Sequence, residues 1–221
     1  MEIVSAIIPA AGRGQRFGAK KQFEKLNGIP LVFYSLNQFY SCDKIDEIIL
    51  IVPKTDIQWV KRKVSKHFIK KPILTIEGGH NRQSSVENGI KVSNSNLVCI
   101  HDAARPFLTQ EIINNSIIGC KKADGAIAAI PSSDTIKIVH EDYIKSTIDR
   151  EKIWLAQTPQ TFHKAKLSTA IESGKKNNLF VTDESMLMEE MGFKVKLVNG
   201  DENNFKITTK KDWDRAEKLI Q

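Results

Sequence analysis

The feature that most narrows the fold is an alternation along the chain. Short runs rich in Val and Ile, at 3–8, 47–52, 73–77, 97–101 and 126–130, take turns with amphipathic stretches at 30–40, 57–68, 83–92 and 110–123. Apolar runs this short and β-branched suit strands buried on both faces, whereas the intervening stretches follow the helical period. Pro30 stands where a first helical turn accepts it, and Thr109 is placed to cap the helix that follows it. Such alternation predicts an α/β fold: a Rossmann-like, mostly parallel, doubly wound sheet with helices on both faces. In such sheets ligands sit beyond the carboxyl ends of the strands. The segments to inspect are therefore Pro9-Ala10-Ala11-Gly12, Pro53, Gly78-Gly79, Asp102-Ala103-Ala104-Arg105 and Pro131-Ser132-Ser133.

The alternation breaks at 135–149, where apolar and polar residues alternate one by one around Glu141-Asp142, the pattern of a β-hairpin. A lone hairpin is marginal in water, so this one is expected to protrude as an arm and pack on a partner subunit. Beyond it, helices are expected at 165–176 and 184–191, a strand at 195–198, and a last helix opened by Thr209 with Asp212 as its capping box. The whole chain, 1–221, is read as one domain carrying this arm at about 133–155.

Composition bounds the partners. The net charge of +7 suits either a nucleic acid or a small polyanion. The basic residues come mostly as short runs beside predicted helices, interleaved with acids, and there is neither zinc-finger spacing nor an aromatic RNA-binding stretch. No nucleic acid is expected as partner. Nor is a membrane, because no apolar run nears the roughly 20 residues that span a bilayer. Glu2 stands where a cleaved leader would carry positive charge, so none is expected. Cys42, Cys99 and Cys120 are widely spaced and form no C-x-x-C pair, which reads as buried thiols of a cytoplasmic protein.

The first loop, 9–23, reads PAAGRGQRFGAKKQF. Its Gly12, Gly14 and Gly18 match neither the dinucleotide G-x-G-x-x-G nor a P-loop ending. Two readings remain: a backbone cradle for a triphosphate, reinforced by Arg16, Lys20 and Lys21, or a plain Gly-rich turn with surface cations. In EGGHNRQSSVENG, 77–89, the Gly-Gly pair lets backbone approach a flat ligand, and Arg82 and Ser85 share one face of the first helical turn. Taken alone, it is an ordinary strand-to-helix turn. In HDAARP, 101–106, Asp102 follows a buried strand at the ligand edge, where it can orient a metal or a hydroxyl, or else pair structurally with Arg105. His101 is read as a packed side chain and Trp154 as core. Thr158-Pro159-Gln160 is an extended strand or turn, and Thr182 or Asp183 is a helix N-cap. Lys206, framed by Phe205 and Ile207, wants an anionic partner or else guards a strand edge.

In order, PAAG-x-G-x-R, KQF, GG-x-x-R-x-x-S, HDAARP, D-R-x(3)-W-x(3)-TPQ-x-F, TDE and N-x-K-x-T make the chain resemble the cytidylyltransferases that form CDP-linked polyols. Two details, Ala10-Ala11-Gly12 in place of AGG and the small Ala104, favour the branch acting on methylerythritol phosphate over the one acting on ribitol 5-phosphate. The resemblance implies CTP and a polyol phosphate as substrates, Mg²⁺ held mainly by the CTP phosphates, and a homodimer that exchanges arms. It implies that Arg16 and Lys21 neutralise the triphosphate, that Ala10, Ala11 and Gly12 line it, that Gly79 and Ser85 read the cytosine, and that Ala103 touches the ribose. It further places Asp102 and Lys206 at the polyol phosphate and metal, Thr182 among the substrate contacts, and Arg105, Thr135, Arg150 and Thr158 in the neighbour's polyol site. His80 departs from the acidic residue usual at its position. A non-catalytic nucleotide-binding protein is the other class the same residues allow.

Overall fold

The computed structural model describes residues 2–12, 14, 17–179 and 181–220. Its elements run β1 (Val4–Pro9), β2 (Lys25–Leu26), β3 (Ile29–Pro30), α1 (Leu31–Ser41), β4 (Glu47–Val52), α2 (Ile57–His67), β5 (Ile73–Glu77), α3 (Arg82–Val92), β6 (Leu97–Ile100), α4 (Gln110–Cys120), β7 (Gly125–Pro131), β8 (Ile136–His140), β9 (Tyr143–Ile148), β10 (Trp154–His163), α5 (Lys164–Lys176), α6 (Glu184–Glu190), β11 (Val195–Asn199) and α7 (Lys210–Ile220). The central sheet has seven strands in the order β11-β7-β10-β6-β1-β4-β5. All its pairings are parallel except those of β10, which runs antiparallel to β6 and β7. The mostly parallel, doubly wound expectation therefore holds. β10 is longer than the short extended piece expected around Thr158, because it brings the chain back from the arm and runs on between β7 and β6, pairing with both.

Residues on opposite faces of the strands feed two separate cores, as the period of two requires. Ala6, Ile8, Ile48 and Leu50 pack with Phe39, Val60 and Ile113 from α1, α2 and α4. Ile7, Ile49 and Ile51 pack on the other face with Val86, Ile171 and Leu187 from α3, α5 and α6. A third, smaller cluster joins Leu26, Leu31, Ile207 and Ala216, and docks α7 against the first loop through Phe17 and Trp213, whose rings are 5.4 Å apart. Thr109 caps α4 as expected, accepting from Ile112 N–H at 3.3 Å. Thr209 and Asp212 make the reciprocal bonds of a capping box at 2.7 and 3.2 Å. Pro30 stands one position earlier than expected, as the N-cap of α1, because it also closes the small β2–β3 ladder.

The hairpin forms a two-stranded sheet of its own, β8–β9, turning at Glu141 with a positive φ of 52°. It leaves Val139, Tyr143 and Ile144 more than half exposed. Trp154, expected in the core, is instead 38% exposed. It opens β10 opposite Pro131, itself exposed, where the sheet gives way to the arm.

Candidate active site

Walking outward from β1, the chain adds β4 and β5 on one side, then returns to place β6 on the other. The direction of strand addition reverses between β1 and β6, and ligands of such sheets bind beyond the carboxyl ends of the strands at that reversal. A cleft of about 1110 Å³ opens there, lined by Ala10, Gly12, Lys21, Gly79, Asp102 and Lys206 among others.

Its floor is backbone at close quarters. Ala10 N–H donates to Ile51 O at 2.7 Å, which continues the ladder past Pro9. Gln22 Nε2 donates to Gly12 O at 2.9 Å. Gly14 has φ of +66°, and any Cβ there would fall 1.8 Å from Ala19 O, so no other residue fits. Opposite, a Cβ on Gly78 would sit 2.2 Å from that of Ala11. The Gly-Gly turn is thus packed directly on the Ala-Ala loop. Ser85 holds the turn's shape: its hydroxyl accepts from Gly79 N–H at 3.0 Å and donates to Asn81 O at 2.8 Å. Asn81 caps α3 through a capping box with Ser84.

The wall is a line of four charges. Glu184 Oε1 and Oε2 accept from Arg82 Nη1 at 2.7 and 2.8 Å. Arg82 Nε reaches on to Asp102 Oδ1 at 2.7 Å, and Lys206 Nζ donates to Asp102 Oδ2 at 2.7 Å. Burial opposes ionisation of Asp102, yet Arg82 and Lys206 outweigh it and hold its carboxyl far below the usual range. Burial likewise disfavours the Arg82 cation, and the two carboxylates more than restore it. At Glu184 burial prevails and raises the pKa against the pull of Arg82. Asp102 therefore pairs with Arg82 and Lys206 rather than with Arg105, the partner its sequence neighbourhood suggested.

Behind the wall, Asp102 N–H donates to Thr158 Oγ1 at 3.1 Å, and Thr158 Oγ1 meets His101 Nδ1 at 3.0 Å. His101 Nε2 faces Arg105 O at 3.0 Å. A carbonyl only accepts, so Nε2 carries the proton, Nδ1 is bare, and the Thr158 hydroxyl donates to it. Burial pushes the His101 pKa down to about 4, which keeps the ring neutral. His101 is the packed side chain it was expected to be, at 0% exposure.

The chain matches the family model of 2-C-methyl-D-erythritol 4-phosphate cytidylyltransferase (IspD) over residues 4–221. It belongs to that family. Among curated relatives, it is 39% identical over 224 residues to the 2-C-methyl-D-erythritol 4-phosphate cytidylyltransferase of Syntrophus aciditrophicus, covering 99% of this chain and 96% of the other. It is 40% identical over 220 residues to that of Clostridioides difficile, covering 98% and 93%. Its structure superposes with a TM-score of 0.90 and 33% identity on the crystal structure of 4-diphosphocytidyl-2C-methyl-D-erythritol synthase from Anaerococcus prevotii, covering 100% of this chain and 96% of that one.

In this IspD family member the residues singled out from sequence are distributed as follows. Ala10, Ala11, Gly12, Lys21, Gly79, Ser85, Asp102, Ala103 and Lys206 all line the one cleft. Arg16 lies outside the described residues. Lys21 Nζ donates to Ile207 O at 2.5 Å, tying the first loop to the segment that carries Lys206. Lys20, expected to add charge to the cradle, turns away to Asp56 at 2.8 Å and Thr55 at 3.2 Å on the neighbouring loop. Lys206 is on irregular chain, not on a strand edge, and its anionic partner is Asp102. Thr182 is exposed, and Asp183 rather than Thr182 caps α6, accepting from Met186 N–H at 3.1 Å. Arg105 is held within its own chain, donating to Asn204 O at 2.7 Å and Ala156 O at 3.4 Å. Thr158 is 4% exposed. Thr135 and Arg150 are exposed at the base of the arm, where Arg150 Nη1 donates to Ser133 O at 3.0 Å.

Sequence reasoning gave Arg82 no role and passed over Glu184. The signal for Glu184 was available: an acid directly after a capping Asp, on a short helix whose other buried positions are Ser185, Leu187 and Met188, has to find a cation. The cation itself is 102 residues away along the chain, and no local pattern identifies it.

Proposed function

We propose that this chain transfers the cytidylyl group of CTP to 2-C-methyl-D-erythritol 4-phosphate, with release of pyrophosphate, for isoprenoid precursor synthesis. The observation that carries this is the convergence, at one switch point of the sheet, of a close-packed backbone cradle with Lys21 and Lys206, in a chain that matches the family from 4 to 221. A phosphate monoester is largely dianionic at neutral pH, so its oxygen attacks the α-phosphorus of CTP without a general base. The new P–O–P bond forms as the bond to the β-phosphate breaks, pyrophosphate takes the electron pair, and no proton moves. The obstacle is repulsion: at an effective dielectric of about 20, two unit charges 4 Å apart oppose each other by about 4 kcal/mol. Fixed cations in line with the reacting oxygens answer that demand, which is why the site is built from Lys and Arg and uses its buried histidine only as scaffold.

In this reading Arg16 and Lys21 neutralise the triphosphate, whose oxygens face backbone at Ala10, Ala11 and Gly12. The Gly79 turn, shaped by Ser85, forms the slot for the cytosine, and Ala103 lies under the ribose. Lys206, positioned by Asp102, receives the polyol phosphate with Thr182 near it. Thr135 and Arg150 serve the polyol site of a second subunit through exchanged arms of a homodimer, an arrangement supported by the exposed apolar side chains of β8–β9. Arg105 and Thr158 act from within their own chain, as their hydrogen bonds favour. Among the described residues no group of three or more His, Cys, Asp or Glu side chains is arranged for a metal. The carboxylate at the wall already has a cation on each oxygen, a donor set that does not fit a protein-held dication. Mg²⁺ accordingly belongs to this reading as the companion of the CTP phosphates. No helix among the described residues is long and apolar enough to cross a membrane, and the three buried thiols, unpaired with one another, support a cytoplasmic setting.

The test is a matrix of methylerythritol phosphate, ribitol 5-phosphate and hexose 1-phosphates against each nucleoside triphosphate, followed by pyrophosphate release. Turnover confined to CTP with methylerythritol phosphate is expected. Turnover of ribitol phosphate in its place, or nucleotide binding without pyrophosphate release, refutes the assignment.

A further inference from the structure

We infer that Glu184 is a positioning residue for the transfer, acting through Arg82 and Asp102 on Lys206; this rests on the function proposed above. The line Glu184–Arg82–Asp102–Lys206 contains two carboxylates and two cations, each contact at 2.7 to 2.8 Å. In order along it the side chains are 2% exposed at Glu184, 29% at Arg82, 10% at Asp102 and 38% at Lys206, so the two ends differ most. One end is locked in the interior and the other faces the cleft. Lys206 is on irregular chain, and a lysine side chain has four rotatable carbons, so its ammonium is only as well placed as its partner. Asp102 in turn is gripped on Oδ1 by Arg82, whose guanidinium plane is set by the two-oxygen grip of Glu184 on Nη1.

A buried carboxylate is retained at a cost unless its cation is needed where it is. Arg82 lines the same cleft, and without Glu184 it would be free to swing onto Asp102 with both nitrogens and displace Lys206. The ammonium would then lose its place in the cleft while the nucleotide cradle, built from other loops, stayed intact. Glu184 therefore governs kcat and the polyol-phosphate KM rather than the CTP KM.

The experiment compares the full-length wild type with Glu184→Gln, Glu184→Asp and Arg82→Lys. Steady-state kinetics are combined with the thermal midpoint and the ¹⁵N–¹H resonance of the Arg82 side-chain Nε–H, assigned by its loss in Arg82→Lys. For folded Glu184→Gln, kcat is expected to fall roughly 10- to 100-fold, the scale of a misplaced reacting group, with the CTP KM within about threefold and the Nε–H signal shifted or exchanging faster. Glu184→Asp, which keeps the charge, should recover part of the loss. A folded Glu184→Gln with wild-type kcat, or one whose activity declines only with the fraction folded while the Nε–H signal is unmoved, overturns the inference. A wild type that releases no pyrophosphate defeats the proposed function instead, and the Nε–H signal still decides whether Glu184 holds Arg82 on Asp102.

Discussion

At the scale of single residues, the site separates cations that face the cleft from cations that brace it. Lys20 and Lys21 are neighbours, yet Lys20 is tied to Asp56 while Lys21 lines the cleft and bonds the chain beside Lys206. Lys21→Ala is expected to lower kcat on the order of 100-fold, the scale for one charge-stabilising donor, whereas Lys20→Ala should leave turnover within about threefold. Steady-state pyrophosphate release checks both. His101 makes a second prediction. Its pKa is lowered from 6.5 to about 4 in the folded chain, so the unfolded chain takes up a proton that the native one refuses. Stability contributed by the neutral ring is complete above about pH 6.5 and is lost progressively as pH falls toward 4, by on the order of 3 kcal/mol. Asp102 adds its own loss at lower pH, because its depressed carboxyl must be protonated on unfolding. Urea midpoints between pH 7 and 4.5 should fall accordingly, and His101→Gln should flatten that part of the curve.

At the scale of elements, the proposed nucleotide side of the cleft depends on how closely two turns approach. The loop after β1 and the turn between β5 and α3 touch at Ala11 and Gly78, with no room for a Cβ. Gly78→Ala is expected to push them apart and raise the CTP KM by on the order of tenfold, with less effect on the polyol-phosphate KM. Equal effects on both constants would mean the turn is not the nucleotide's alone. The same glycines show what periodicity can and cannot convey. The pair Gly78-Gly79 was legible as a place of close backbone approach, and it lines the cleft. That its contact is also with Ala11, 67 residues earlier, follows only from β1, β4 and β5 lying side by side.

At the scale of the whole molecule, the arm is the element left unfinished. Among the described residues β8 and β9 pair only with each other, and Val139 and Ile144, paired across the hairpin, leave apolar side chains exposed, as do Tyr143 on its other face and Leu155 on β10. In the proposed dimer a second copy covers these side chains, and Arg150 and Thr135 serve the neighbour's cleft. Arg150→Ala should then raise the polyol-phosphate KM far more than the CTP KM. Mixing inactive Lys21→Ala and Arg150→Ala subunits should restore part of the activity, because one of the two clefts in a mixed dimer then has both groups. Subunit exchange shown by mass spectrometry, with no recovery, would rule out a shared site.

What the amino-acid order determined by itself is local. The apolar runs and their helical spacers dictated the layered α/β sheet, Thr109 and Thr209 marked helix starts, the alternation at 135–149 announced the hairpin, and the glycine and alanine pairs marked the edge where the cleft opens. These depend on residues a few positions apart, where sterics and the period of burial suffice. Tertiary structure alone decided which charge meets which. Asp102 had Arg105 as its neighbour in sequence and took Arg82 and Lys206 in space, and Glu184 found Arg82 across the core. Trp154 was left half exposed for the same kind of reason, since burial depends on what packs over a strand end. Coulomb attraction and packing act on distance through space, and only the folded sheet converts separation along the chain into that distance.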